Sequence, residues 1–150
     1  MRDGSFSTIS VNNISQGHNV YVVIPYKGKI LSLVRPSDYK IKNLKDLPGG
    51  KAESDEKILQ TAEREVLEET GRKLKSAKYL GRFYSYRNGK YHKNVLLEGK
   101  LDVPLKEDVL EKKLVLSDEH QSWKLIDLNN LSRYKMSHDF KRAIFENYLN

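Results

Sequence analysis

Three glutamates, Glu65, Glu68 and Glu69, fall within one short segment with helical character. At about 100° per residue, positions i, i+3 and i+4 share one face of a helix, so the three carboxylates lie together. Like charges at this spacing destabilise an isolated helix by roughly a few tenths of a kcal/mol per pair. A hard divalent cation bound by the carboxylate oxygens would offset that repulsion. The pattern therefore predicts a metal site, which is our candidate for the catalytic site.

The segment around these glutamates is acidic, whereas the chain as a whole is basic. The 150 residues include 27 Lys or Arg and 20 Asp or Glu, a net charge of +7. Residues 50–71 hold three cations and seven anions, or −4, so the remainder carries +11. An excess of cations favours polyanionic partners, either nucleic acids or phosphorylated small molecules. An acidic patch in a basic protein suits metal-bridged phosphate binding, although a Lys- and Asn-rich proteome would explain the excess equally well.

Length and composition exclude several classes of protein. A chain of 150 residues has the common size of one domain, so we expect a single domain over residues 1–150. The absence of cysteine excludes a disulfide framework, a thiolate metal site and a thiol nucleophile. No apolar run approaches the roughly 20 residues of a membrane span, and residues 1–10 lack the apolar region of a signal peptide. We expect a cytoplasmic protein without membrane contact.

Strands on either side of the acidic helix are expected to position it. The predicted strands cover residues 19–26 and 30–35 as one hairpin, 77–86 and 91–101 as a second hairpin with an Asn-Gly turn, and 123–128. Residues 137–149 have the pattern of a closing amphipathic helix. The polar residues 1–18 are interpreted as an arm or an edge strand, residues 36–46 as a loop, and residues 102–118 as a loop with a short helix or strand. This order indicates an α/β or α+β fold with a mixed or antiparallel sheet between helices.

The acidic helix has recognisable ends. Ser54 or Asp55 is the expected N-cap, and Gly71 occurs where a left-handed C-terminal residue is needed. The apolar stripe expected to face the sheet consists of Leu59, Ala62, Val66 and Thr70, with Ile58 at its margin.

The residues from Gly50 to Gly71 have a specific spacing. After Gly50 come five residues and Glu56, then seven residues and Arg64-Glu65-Val66, then one residue and Glu68-Glu69, then one residue and Gly71. This is the Nudix box, and the chain resembles Nudix hydrolases of the small MutT-like kind, which cleave a nucleoside diphosphate linked to another moiety. The resemblance implies an α/β/α sandwich. One position departs from the family pattern, because Arg72 replaces the usual aliphatic residue and leaves Leu74 as the candidate for its packing role.

The resemblance implies a role for each part of the motif. Glu65, Glu68 and Glu69 match the family's metal ligands for Mg²⁺, with Mn²⁺ as a substitute, and a backbone carbonyl at Gly49-Gly50 completes the coordination. Hydrolysis of a pyrophosphate requires its charge to be neutralised while a water is placed in line. Glu65 or Glu69 is the candidate within the box to orient or deprotonate that water.

The other motif residues are expected to support these glutamates. Gly50 leaves room for the metal because it has no Cβ. Arg64 can pair with a neighbouring carboxylate and fix its rotamer. Glu56 is structural or a secondary metal ligand in the family. Outside the helix, Lys51 and Arg35 are candidates for phosphate contacts, with an ordinary surface cation as the equal alternative.

Nudix enzymes often use a further acid, sometimes as general base, and two residues compete for that role. Glu119 lies in the segment LSDEHQSWKLIDLNNL and resembles the family's late acidic loop, so we prefer it. Glu98 is the alternative, on the face of its strand opposite Val95 and Leu97. The four histidines show no metal-ligand spacing. His120 is a candidate to touch substrate beside Glu119, but we favour an exposed position on its loop.

These features predict a Mg²⁺-dependent pyrophosphohydrolase acting on a nucleotide, most simply a (deoxy)nucleoside triphosphate, by water attack on phosphorus. The runner-up substrate is a dinucleoside polyphosphate, because residues 117–131 resemble the matching region of diadenosine-polyphosphate hydrolases. A non-catalytic nucleotide- or RNA-binding Nudix domain is the alternative from another class, against which the intact glutamates argue. A homodimer is compatible with the sequence.

Overall fold

The computed structural model describes residues 18–87 and 89–149, so the predicted arm falls almost wholly outside the described residues. Within them the chain forms eight strands, three α-helices and one 3-10 helix. The strands are β1 Asn19–Val23, β2 Pro25–Tyr26, β3 Lys29–Val34, β4 Lys45–Asp46, β5 Gly49–Lys51, β6 Leu74–Arg87, β7 Lys90–Leu101 and β8 Ser122–Asp127. The helices are α1 Ile58–Thr70, α2 Glu107–Lys113 and α3 His138–Tyr148, and the 3-10 helix is Leu128–Arg133.

The strands form two four-stranded sheets. In the first, the order is β5-β1-β7-β6, and β1 runs parallel to β7 but antiparallel to β5. In the second, β8 pairs with β3 along its whole length, so β2 and β4 share the other edge of β3. The first sheet is therefore mixed and the second antiparallel.

Helices cover both faces of the first sheet because its strands alternate their apolar residues. Val20, Val22 and Val95 point to one side, where they pack with Ala62 and Val66 of α1. Val23 and Leu96 point to the other side, where they pack against α3. This arrangement is an α/β/α sandwich with a mixed sheet, which confirms the predicted fold class.

The two predicted hairpins had different outcomes. Strands β6 and β7 pair in antiparallel register up to Arg87 and Lys90, as predicted, although Asn88 of the turn lies outside the described residues. The first hairpin was predicted too broadly, because only β2 pairs with β3. The chain leaves one sheet for the other near Ile24, so that β1 pairs with β5 and β7 instead.

Helix α1 starts later than the sequence predicts. Its N-cap is Lys57, whose N–H donates to Gln60 Oε1 at 2.9 Å. The predicted caps Ser54 and Asp55 lie in the preceding turn, where Asp55 has a φ of 65°. The buried face of α1 also differs from the predicted apolar stripe. Ile58 and Glu69 belong to the buried face, whereas Leu59 is only partly buried.

The end of α1 agrees with the sequence. Gly71 adopts a left-handed φ of 71°, and its N–H donates to Leu67 O at 2.9 Å. Leu74 enters the core, as expected of the residue that takes the aliphatic role. Arg72 instead turns outward and forms two 2.9 Å bonds to Asp102. The departure from the family pattern is thus accommodated at the surface.

Candidate active site

A cavity of about 340 Å³ opens where β4, β5 and the acidic face of α1 meet. Of the described residues, five carboxylates and two cations line it, in addition to four aromatic side chains. The charged residues are Asp46, Glu65, Glu69, Glu119 and Asp139, with Arg35 and Lys51. The aromatic residues are Tyr21, Tyr39, Tyr86 and Phe140. The cavity therefore combines a strongly acidic part with apolar surfaces.

Glu69 lies at the base of this cavity. It is 4 % exposed, and its Oε1 accepts a 2.8 Å hydrogen bond from the N–H of Gly49. Burial, together with the charges of Glu65 and Glu119, raises the pKa of Glu69 to about 8, although the hydrogen bond from Gly49 opposes the shift. Without a cation, ionising this carboxyl group is therefore unfavourable.

Glu65 lies one turn earlier on α1, directly against β5. A Cβ on Gly50 would come within 2.6–2.8 Å of the Glu65 carboxylate atoms, so only glycine leaves them their present position. Burial raises the pKa of Glu65, whereas a 2.9 Å bond from Arg64 lowers it. Glu65 and Glu69 thus form the acidic pair of the cavity, in which Glu69 is buried and Glu65 is partly buried.

Glu68 is placed differently from the other two glutamates. Its side chain is 54 % exposed and does not line the cavity. Its carboxylate contacts the Arg64 guanidinium at 3.3 Å. The predicted trio is therefore divided into two cavity carboxylates and one at the surface beside them.

Arg64 connects the helix to the loop before it. Its Nε donates to Glu56 Oε2 at 2.7 Å, and its terminal nitrogens reach Glu56 Oε1 at 3.0 Å, Glu65 at 2.9 Å and the carbonyl of Lys51 at 3.1 Å. Glu56 Oε1 also accepts a 2.7 Å bond from Thr61. This network connects Glu56, the cavity carboxylate of Glu65 and the β5 backbone, and the supporting roles of Arg64 and Glu56 stay predictions.

We expect Glu56→Gln to lower the free energy of unfolding by about 1.5–3 kcal/mol at pH 7, as a charged hydrogen bond is lost. The Arg64 guanidinium lowers the pKa of Glu56 from 4.5 to about 2. A depressed folded pKa means that this stabilisation is present above pH 4.5 and is lost as the pH falls toward 2. Urea unfolding of the wild type and of Glu56→Gln should thus show a large difference in the free energy of unfolding at pH 7 and a small one near pH 2.5.

Glu53→Gln is the matched control for that experiment. Glu53 is 67 % exposed and 3.6 Å from Arg64, so its removal should change stability by less than about 0.5 kcal/mol. Equal losses in the two variants would contradict a specific role of Glu56.

The fold places Glu119 and Glu98, the two candidates for the additional catalytic acid, in different parts of the protein. Glu119 lines the cavity, and its charge raises the pKa of both Glu65 and Glu69. Glu98 faces α3 instead, accepting a 2.5 Å hydrogen bond from the Tyr148 hydroxyl, with Lys78 at 3.6 Å. Of the two, only Glu119 is near the acidic pair, and its role as a catalytic acid or base stays a prediction.

Arg35 and Lys51 both line the cavity. The Arg35 guanidinium forms an ion pair with Asp46 and lies 4.9 Å from the centroid of the Tyr39 ring. It is thus held in place at the cavity wall, unlike an ordinary surface cation. Lys51 is exposed, and its carbonyl is already bound to Arg64.

Two residues near the cavity differ from what the sequence indicates. His120, expected to be exposed, is buried, and its Nε2 lies 3.0 Å from Asp46 Oδ2. Asp46 itself carried no signal in the sequence, because its partners Arg35 and His120 are distant along the chain. Only its position just before Leu47-Pro48-Gly49-Gly50 could have pointed to it.

The donor set of the cavity suits a hard cation. No three His, Asp or Glu side chains converge on a common point within residues 18–87 and 89–149. However, Glu65 and Glu69 supply oxygen donors in a buried place where ionisation is unfavourable, and Gly50 keeps the space beside Glu65 open. A divalent cation would relieve the repulsion within this pair, so the residues fit the group.

A sequence profile described as the NUDIX domain matches residues 16–148, which is most of the chain. The chain belongs to the Nudix family. It is a Nudix hydrolase, a member of a family that cleaves phosphate anhydrides and generally uses divalent metals. A sequence search among curated proteins gives no significant match.

Solved structures show the same Nudix fold. The crystal structure of a MutT protein from Methanosarcina mazei is 24 % identical over 89 % of this chain and 95 % of that one, with a TM-score of 0.71. A MutT Nudix hydrolase from Burkholderia pseudomallei has 20 % identity over 90 % and 99 %, with a TM-score of 0.71. An Ap4A hydrolase from C. elegans has 20 % identity over 83 % and 88 %, with a TM-score of 0.62.

The Nudix helix of this chain is α1, which carries the box glutamates.

No helix of residues 18–87 and 89–149 is long and apolar enough to span a membrane.

Proposed function

We propose that the chain is a Mg²⁺-dependent pyrophosphohydrolase that cleaves a (deoxy)nucleoside triphosphate by attack of water on phosphorus. The observation that carries this proposal is the composition of the cavity, where an acidic cluster, two cations and four aromatic side chains lie together. A polyphosphate and a cluster of carboxylates repel each other unless divalent cations lie between them. The acidic cavity of this Nudix hydrolase thus favours a metal-bridged anionic substrate.

The acidic residues have separate proposed roles. Glu65 and Glu69 would hold the metal, with Glu68 and the backbone at Gly49 as the remaining candidates from the family pattern. Bound Mg²⁺ supplies positive charge that offsets the charge of the phosphate oxygens. Glu119 is our candidate for the general base that accepts a proton from the attacking water, because it lines the same cavity without belonging to the Nudix helix.

The cations and aromatic residues would bind the rest of the substrate. Arg35 is preorganised by Asp46 and Tyr39 for a phosphate, and a planar guanidinium suits two phosphate oxygens. Tyr21 and Phe140 pack edge to face with ring centroids 4.8 Å apart. With Tyr39 and Tyr86, they offer apolar faces on which a nucleobase can stack.

A dinucleoside polyphosphate is the second candidate substrate. The resemblance of residues 117–131 to the matching region of diadenosine-polyphosphate hydrolases supports it, and an Ap4A hydrolase of C. elegans is among the solved structures with this fold. Such a substrate carries a second nucleoside, for which the cavity would have to extend toward exposed Tyr84 and Tyr91 of the β6–β7 hairpin.

A cytoplasmic location and a homodimer also stay predictions.

A substrate panel tests this proposal. The protein is incubated with Mg²⁺ and each nucleoside triphosphate, deoxynucleoside triphosphate, diadenosine polyphosphate and ADP-sugar, and the products are separated by ion-exchange chromatography. We expect a nucleoside monophosphate and pyrophosphate from a triphosphate, and no products after chelation with EDTA. Cleavage of diadenosine polyphosphates alone would replace the first candidate with the second. Absence of turnover on every substrate, together with tight RNA binding, would contradict the enzyme proposal.

A further inference from the structure

The loop that carries Glu119 has a single buried side chain. Of residues 111–122, only His120 is buried, and 1 % of its imidazole is exposed. Glu119, its neighbour, is exposed and lines the cavity. The two side chains therefore leave the loop in different directions, one into the protein and one toward the proposed substrate.

The buried imidazole forms one specific contact. Its Nε2 lies 3.0 Å from Asp46 Oδ2, on β4. Because an ionised carboxylate only accepts hydrogen bonds, Nε2 carries the hydrogen and donates it. Nδ1 is buried and has no hydrogen-bond partner among residues 18–87 and 89–149. An apolar side chain would fill this space without leaving a polar atom unpaired, so the distinct contribution of His120 is its bond to Asp46.

The other hydrogen bonds of the loop are longer or lie at its two ends, and at its start the N–H of Val115 donates to Thr70 O at 2.8 Å. The N–H groups of Glu119 and His120 both donate back to Ser117, at 3.4 Å and 3.3 Å, so these bonds stay within the loop. The N–H of Gln121 donates to Val34 O at 2.8 Å, where β8 is about to begin. On the Glu119 side of that point, the His120 side chain is the contact that connects the loop to β4.

Asp46 connects this anchor to the cavity. It lines the cavity, and the same Oδ2 that accepts from His120 also pairs with Arg35. His120 and Arg35 are thus held against one carboxylate, although they come from segments far apart in sequence. A displacement of His120 would therefore be felt first by Glu119, whose loop has no other buried side chain.

We propose that His120 is a positioning residue, whose hydrogen bond to Asp46 holds Glu119 at the cavity beside Glu65 and Glu69. This inference rests on the proposed role of Glu119 in hydrolysis. His120 does not touch the reacting atoms in this scheme. Its effect arises because a displacement of a catalytic group by about 1 Å can lower a rate by roughly 10²-fold.

Two substitutions of His120 separate anchoring from packing. His120→Leu keeps an apolar side chain in the space but removes the bond, whereas His120→Gln brings an amide N–H close to the place of Nε2. We expect His120→Leu to lower kcat by about 10- to 100-fold with KM changed less than about twofold. His120→Gln should stay within about threefold of the wild type. The substrate is the nucleotide that the panel identifies as the fastest.

Hydrogen–deuterium exchange measures the anchor without relying on turnover. In His120→Leu, amides of residues 116–120 should exchange faster than in the wild type, whereas those of α1 should not change. His120→Gln should show the wild-type pattern. Exchange in residues 116–120 that is unchanged in His120→Leu would overturn the proposal.

A double-mutant cycle tests whether His120 acts through Glu119. If it does, Glu119→Gln with His120→Leu is no slower than Glu119→Gln alone, because the group to be positioned is already lost. Multiplied losses would overturn the proposal. His138→Leu, at an exposed site outside the cavity, is the control and should keep wild-type kcat.

The outcomes also distinguish this inference from the proposed function. A normal kcat in Glu119→Gln with fast exchange in His120→Leu would reject the role of Glu119 in catalysis and keep the anchor. A low kcat in Glu119→Gln with normal kcat and exchange in His120→Leu would reject the anchor alone.

Discussion

Glu69→Gln is expected to reduce turnover by roughly 10³-fold or more, because the buried carboxylate of the acidic pair is lost. Glutamine has nearly the same shape and keeps an oxygen that can accept the Gly49 N–H bond. The charge that would hold a divalent cation disappears. Steady-state rates with the best nucleotide over a range of Mg²⁺ concentrations measure the effect, and the loss should persist at saturating metal.

The same variant should not be destabilised. Burial raises the pKa of Glu69 from 4.5 to about 8, so in metal-free protein its contribution to stability is present below pH 4.5 and is lost as the pH rises through 8. Glutamine does not ionise, so thermal unfolding in EDTA should show Glu69→Gln to be more stable than the wild type near pH 8.5. Glu63→Gln, at an exposed position of the same helix, is the control and should keep full activity. Wild-type turnover by Glu69→Gln would remove this residue from the proposed site.

Local patterns predicted those parts of the fold that depend on neighbouring residues. The β6–β7 hairpin follows from two alternating strands around Asn-Gly, and the end of α1 follows from Gly71. Strand β5 could not be predicted in this way. It contains Gly49 and Gly50, has little intrinsic strand propensity, and forms because β1 offers its edge. The parallel pairing of β1 with β7 joins residues such as Val20 and Val95, and no local pattern indicates it.

The same distinction between local patterns and tertiary contacts applies to the candidate site. The spacing of Glu65 and Glu69 on one helix is a local property, so the sequence alone predicts that their side chains lie close together. In the structure both line the cavity. The burial of Glu69 was not predicted, because it depends on how α1 is rotated against β5. The contacts of Asp46 with Arg35 and His120 bring together β4, the end of β3 and the loop before β8. Such contacts require the tertiary structure, and the different orientation of Glu68 depends likewise on the position of Arg64.

Gly50→Ala is expected to lower activity by about 100-fold while changing the free energy of unfolding by less than about 1 kcal/mol. Gly50 has no left-handed φ, so its backbone accepts alanine. The added Cβ would come within 2.6–2.8 Å of the Glu65 carboxylate. Since these atoms are the end of a side chain, they can move away without a shift of the backbone, but Glu65 then leaves the position opposite Glu69. Kinetics and urea unfolding of the same preparation measure the two effects.

Gly28→Ala should give the opposite result, and the contrast makes the prediction specific. Gly28 has a left-handed φ of 78° and nothing within 4 Å of an added Cβ, so alanine should cost about 1 kcal/mol of stability and leave activity unchanged. If Gly50→Ala also lost stability but kept its turnover, the added Cβ would be accommodated by a shift of the β5 backbone and not by a movement of Glu65. The requirement for glycine in β5 would then be structural. If it loses turnover alone, glycine is needed there because it leaves Glu65 free to face Glu69, which connects a feature of the Nudix box directly to the geometry of the acidic pair.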